Sequence, residues 1–97
     1  MYLILWRHAE AEEAPEGGDD LVRALTPRGE REAARMGAWL DRTLPEGARI
    51  LSSPALRCDQ TARALGRKFK TVETLAPGHS VDELLEAARW PDARQPV

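Results

Sequence analysis

Five apolar residues in a row, Tyr2-Leu3-Ile4-Leu5-Trp6, lead directly into Arg7-His8-Ala9. The run does not alternate with polar residues. That is the pattern of a strand covered on both faces in a parallel sheet. It predicts a strand over residues 2–7. A cation and an imidazole then leave that strand together at its carboxyl end, where open α/β sheets bind their ligands.

The rest of the chain supplies the elements such a sheet needs. Residues 10–20 hold six acids together with Pro15, Gly17 and Gly18, and read as a mobile surface loop. Thr26-Pro27 opens a helix, because threonine caps well and proline suits the first helical position. Ala33, Met36, Gly37, Leu40 and Leu44 recur at helical spacing and should face the sheet. Pro45-Glu46-Gly47 ends that helix, and a short strand is expected over residues 49–52. Ser53-Pro54 repeats the cap logic and opens a second helix near residues 55–67, with Cys58, Ala62 and Leu65 as its apolar stripe. A third strand is expected over residues 70–73. Ser80 and Glu83 have the spacing of a capping box and start a third helix, with Val81, Leu84, Leu85 and Ala88 inward and Pro91 as its stop. Trp6, Trp39 and Trp90 read as packing residues.

Strand and helix thus alternate three times, which argues for a three-layer α/β/α arrangement with a mainly parallel sheet and right-handed crossovers. The 97 residues suit one small domain spanning 1–97. A net charge of -2 speaks against a nucleic-acid binder driven by counterion release. The one cysteine, Cys58, excludes an intrachain disulfide or a multi-cysteine zinc site, and fits a small core residue. No run approaches the roughly 20 apolar residues that span a bilayer, so no membrane partner is expected and the cytoplasm is the default location.

Chemistry concentrates at one edge of the expected sheet. Arg7 and His8 leave the first strand, Ser52 and Ser53 leave the second, and Arg57 sits in the first turn of the helix that follows. Two guanidinium groups, a helix N-terminus and an imidazole suit a phosphate dianion. The serines are read as helix caps, with Ser52 also a candidate phosphate contact. His8 would attack phosphorus with a neutral ring nitrogen, while its other nitrogen donates to a backbone carbonyl and fixes the tautomer. Arg7 and Arg57 would stabilise the charge on the equatorial oxygens.

Three blocks also resemble the histidine phosphatase superfamily. Leu5-Trp6-Arg7-His8-Ala9-Glu10 resembles its opening motif, with Ala9 where glycine is more common. Leu25-Thr26-Pro27-Arg28-Gly29 resembles the second block, and the segment from Leu51-Ser52-Ser53-Pro54 through Arg57 to Gln60-Thr61-Ala62 the third. Spacing is most similar to SixA-type phosphohistidine phosphatases. The resemblance implies a phosphoglycerate mutase-like α/β fold, His8 as nucleophile, Arg7 and Arg57 as phosphate ligands, and Arg23 as a further basic residue of the pocket. It implies neither metal nor organic cofactor. Its implied partner is a phosphohistidine-bearing protein of the phosphotransfer or phosphotransferase-system type, and inorganic phosphate or sulfate would fit the same pocket.

One family element has no match. A second histidine follows a later strand, beyond the third helix, and the sequence given stops at Gln95-Pro96-Val97, where that strand would begin. His79 precedes the third helix and reads as a surface histidine. The fold is therefore expected to lack its C-terminal strand and helix, leaving an apolar sheet edge open to self-association. Three functions stay open. The first is dephosphorylation of protein phosphohistidine. The second is a small-molecule phosphomonoesterase or mutase-like activity, which would need a general acid that no glutamate here matches. The third is an inactive remnant that binds phosphate or a phosphoprotein.

Overall fold

The computed structural model describes residues 3–97. Its elements run in the order of a 3-10 turn (Asp20–Val22), α1 (Pro27–Thr43), β1 (Leu51–Ser52), α2 (Leu56–Arg63), β2 (Lys70–Thr71), a second 3-10 turn (Glu73–Leu75) and α3 (Val81–Ala88).

Helix α1 begins where the Thr26-Pro27 signal placed it. The Thr26 hydroxyl accepts from the Gly29 amide at 2.9 Å, and Pro27 fills the first helical position. At its far end Arg67 closes the helix from outside. Its guanidinium donates to the carbonyls of Asp41, Leu44 and Pro45 and pairs with the Asp41 carboxylate at 2.7 Å. The Asp41 and Leu44 carbonyls lie at the end of the helix, where the ladder runs out of amides, and Pro45 follows just beyond it. The buried face of α1 is Gly29, Ala33, Gly37 and Leu40. Met36 was expected inward but is 46% exposed, as is Trp39 at 53%. The reason is close packing against α2: a Cβ on Gly37 would lie 2.5 Å from the Ala64 carbonyl oxygen. Helices that approach through a glycine bury a narrow stripe and leave its flanks to solvent.

Helix α2 is shorter than expected and starts after Ser53-Pro54. Its N-cap is Ala55, which offers no side-chain cap, although the Ser53 hydroxyl accepts from the Ala55 amide at 3.2 Å. Ala62 and Leu65 are buried as expected. Helix α3 carries the predicted capping box: the Ser80 hydroxyl accepts from the Glu83 amide, and the Glu83 carboxylate accepts from the Ser80 amide. Ala88 is buried, but Val81 is largely exposed, because it occupies the first turn beyond the packed part of the helix.

The sheet departs most from expectation. Leu51–Ser52 and Lys70–Thr71 pair in parallel, with Leu51 opposite Lys70 and Ser52 opposite Thr71. The strand expected over residues 2–7 is not part of a ladder within residues 3–7, and Tyr2 lies outside the described residues. Leu5 is 73% exposed rather than covered on both faces. Among the described residues, no strand pairs with this segment along its length. Its Ile4 amide donates to the Val97 carbonyl at 2.7 Å, while the Arg49 amide, next to β1, donates to the Pro96 carbonyl at 2.8 Å. Successive carbonyls of an extended chain face opposite ways. Residues 96–97 therefore enter between the 3–8 segment and β1 as a middle strand would. Ahead of them, toward His8 and Ser52, the two edges border a cavity.

Candidate functional site

That cavity, about 470 Å³, is lined by Arg7 and His8 on one edge and by Ser52 and Ser53 on the other. Leu40 of α1, Leu65 just past α2 and Leu84 of α3 contribute to its walls. The structure thus brings together the two strand-end pairs that the sequence singled out. Arg7 is exposed and His8 half-buried. The His8 Nδ1 lies 2.7 Å from the Ala9 carbonyl oxygen. A carbonyl can only accept, so Nδ1 carries a proton, and in the neutral ring the lone pair is then on Nε2. This is the tautomer that a nucleophile needs.

The serines are more committed than expected. The buried Ser52 hydroxyl donates to the Ser53 carbonyl at 2.9 Å. The Ser53 hydroxyl serves the Ala55 amide, which holds the turn that launches α2.

Arg57 lies in the first turn of α2 and is only 7% exposed. It is tied to the acidic loop: Nη1 donates to the Asp20 carbonyl at 2.8 Å and Nη2 to the Asp20 carboxylate at 3.0 Å. Its Nε is buried without a hydrogen-bond partner among the described residues. Arg23, the third predicted cation, donates to the other Asp20 carboxylate oxygen at 3.0 Å and to the Glu12 carbonyl at 2.6 Å. Flanked by two guanidinium groups, first Arg23 and then Arg57, the Asp20 carboxyl is held below its ordinary range. Asp20 thus joins Arg23 and Arg57, while the cavity joins Arg7, His8 and Ser52.

Thr61 connects the two sets. Its hydroxyl donates to the Arg57 carbonyl one turn earlier at 2.8 Å and accepts from the Ala9 amide at 3.2 Å. The residue after His8 is thereby docked on the helix that carries Arg57. Gln60 acts in parallel, its carboxamide oxygen accepting from the Leu25 amide at 2.7 Å. Neither role was assigned from the sequence, although Gln60 and Thr61 lay inside the third block. Two adjacent polar residues on an otherwise inward helix face were the available signal. The loop over residues 10–20 is likewise less free than its composition suggested. Ala11 and Leu25 form an antiparallel bridge, and Glu10 and Glu12 bond to Thr26 and Ala24.

His79 is exposed, as expected, and its Nδ1 donates to the Glu83 carboxylate at 2.8 Å. Among the described residues, no three His, Cys, Asp or Glu side chains gather closely enough to hold a metal ion. No helix among them is long and apolar enough to cross a membrane.

Comparison with known proteins places these features in context. The family model of the histidine phosphatase superfamily (branch 1) matches residues 3–88. Phosphohistidine phosphatase SixA of Escherichia coli strain K12 is 38% identical over 66 residues, covering 68% of this chain and 40% of that protein. An uncharacterised protein of Mycobacterium tuberculosis strain H37Rv is 37% identical over 83 residues, covering 80% of this chain and 52% of that one. The chain spans about half the length of these curated relatives. Among solved structures, the protein histidine phosphatase SixA complexed with tungstate is similar at a TM-score of 0.76 and 28% identity, over 90% of this chain and 58% of that one. A structure described as SixA from Agrobacterium tumefaciens is similar at a TM-score of 0.80 and 27% identity, over 98% and 63%.

Proposed function

Since this chain belongs to the histidine phosphatase superfamily (branch 1), with that family's α/β fold, we propose that it is the His8-bearing part of a phosphohistidine phosphatase. The observation that carries the reading is the 2.7 Å approach of the His8 Nδ1 to the Ala9 carbonyl, which in the neutral ring leaves the lone pair on Nε2, with Arg7 and Ser52 on the edges of the same cavity. The phosphohistidine phosphatase named among the relatives supports the substrate class. The tungstate complex of a similar structure supports an oxyanion site.

In the proposed reaction, the Nε2 lone pair bonds to phosphorus as the phosphorus–nitrogen bond of a substrate phosphohistidine breaks. The departing imidazole takes the bonding pair and a proton from solvent. Water then attacks phosphorus, the bond to Nε2 breaks, orthophosphate leaves and His8 regains its lone pair. Arg7 and Arg57 are the proposed holders of the phosphoryl oxygens, with Arg23 and Ser52 as outer members of the site. The partner is a protein bearing phosphohistidine. The single free thiol, Cys58, goes with a cytoplasmic location.

We propose that residues 96–97 begin a middle strand, and that the space ahead of them seats the rest of it, with a helix to follow. Until that place is filled, its apolar edges favour pairing between copies of the chain. A compact monomer in analytical ultracentrifugation at high concentration would count against that self-association.

The test of function is phosphate release from a phosphohistidine protein. His8→Ala should lower release by about a thousand-fold or more, the scale for losing a covalent nucleophile. Release that survives the substitution removes His8 from the mechanism. Binding of phosphate without release would instead favour a phosphate-binding remnant. Release from small phosphoesters alone would favour the phosphomonoesterase reading.

A further inference from the structure

Arg57 presents a problem that its burial creates. A guanidinium on a flexible stem holds a fixed plane only if its neighbours fix it. It carries five N–H donors, one on Nε and two on each terminal nitrogen. Nε–H is shut off from solvent and has no partner among the described residues. Asp20 bonds both terminal nitrogens, and it does so with two different acceptors, its backbone carbonyl at 2.8 Å and its carboxylate at 3.0 Å. Two acceptors on two nitrogens define a plane, where one would define only a direction. The second carboxylate oxygen is held by Arg23, which is itself anchored on the Glu12 carbonyl. The result is a continuous tie from Glu12 through Arg23 and Asp20 to Arg57, with each link fixed by the one before it.

We propose that Asp20 is a positioning residue, orienting the Arg57 guanidinium so that the remaining terminal N–H donors meet an oxyanion. This rests on the phosphatase reading above. The acids of residues 10–20 are then not equivalent, for among them Asp20 alone is bonded to Arg57. Arg23 acts through Asp20 as well as by its own charge. A carboxylate that merely competed with phosphate for Arg57 would need only its side chain. Here the main chain at position 20 is docked on the same guanidinium.

Two measurements on the whole chain test the proposal. The first is nitrogen-15 NMR of the Arg57 guanidinium. In the wild-type chain, restricted rotation should give resolved terminal N–H signals. In Asp20→Ala, which keeps the main-chain acceptor and loses the carboxylate, these should broaden and move toward one another. The second is calorimetric affinity for tungstate. Asp20→Ala should weaken binding by about ten-fold or more, the scale for losing a hydrogen bond to a charged group. Asp20→Asn keeps one acceptor oxygen and the side-chain size, so it should fall between wild type and Asp20→Ala while the fold, read by circular dichroism, is kept. Unchanged Arg57 signals in Asp20→Ala overturn the proposal. So does unchanged tungstate affinity. Tighter binding by Asp20→Asn also overturns it and identifies Asp20 as a competitor for Arg57. A wild-type chain that binds no tungstate defeats the oxyanion-site reading itself, and the NMR signals then decide the Asp20–Arg57 tie separately.

Discussion

Two parts of this molecule contain similar runs of apolar residues and end up differently. Around Leu51, a two-residue strand forms a ladder with β2, and α1, its ends closed by Thr26 and Arg67, packs on α2 through Gly37. Around Leu3–Trp6 the longer and more apolar run stays outside any ladder among the described residues, where the Ile4 amide donates to the Val97 carbonyl. The difference teaches that a strand belongs to a pair. β1 has β2 beside it, because the α2 crossover returns the chain in parallel. Beside the 3–8 segment, residues 96–97 take a backbone hydrogen bond at one end, and further on it borders a cavity.

The comparison is open to direct attack. Gly37→Val should destabilise the closed part most. Its Cβ would lie 2.5 Å from the Ala64 carbonyl oxygen, which is backbone and cannot swing aside. Urea unfolding should show a loss of about 1–3 kcal/mol. A neutral result would mean that α1 and α2 pack less closely than the structure shows.

A smaller effect is expected at α3. Backbone donation from Ser80, and then the His79 side chain, hold the Glu83 carboxyl below its ordinary value. A depressed carboxyl pKa contributes stability at neutral pH that is lost as pH falls through the folded-state value. Thermal melts should therefore lose stability on acidification, and Glu83→Gln should flatten that part of the profile. The group is exposed, so the effect should be modest and weaken with salt. The smallest effect belongs to the open part. Leu5→Ser, at 73% exposure, should stay within about 0.5 kcal/mol of the parent. A large loss there would show that the 3–8 segment is covered in solution, as pairing between copies would make it.

Helix starts were legible because their causes are local. Thr26-Pro27 and Ser80 with Glu83 encode their caps within four residues, and both caps form as written. The parallel pairing of β1 and β2 was legible from alternation of short apolar runs with helices. Met36 was misplaced inward because helical spacing gives a face but not its width, and packing through Gly37 makes that face narrow, while Val81 sits in the first turn of α3 beyond its packed part. At the candidate site, Arg7, His8 and Ser52 could be grouped from strand ends alone, and one cavity holds them. Asp20 could not be found that way. It was one acid among six in a polar loop, and nothing local distinguishes it from its neighbours.

By itself, then, the sequence determined what depends on near neighbours: the caps, the order of elements, and which cation and imidazole leave the first apolar run. Tertiary structure alone decided what depends on distant partners: that residues 3–7 stay outside a ladder, that Thr61 docks Ala9, and that Asp20 reaches across 37 residues of chain to Arg57. The physical reason is that backbone hydrogen bonds and buried charges are satisfied by whatever the fold brings near them, and proximity in space is not written at the position it satisfies.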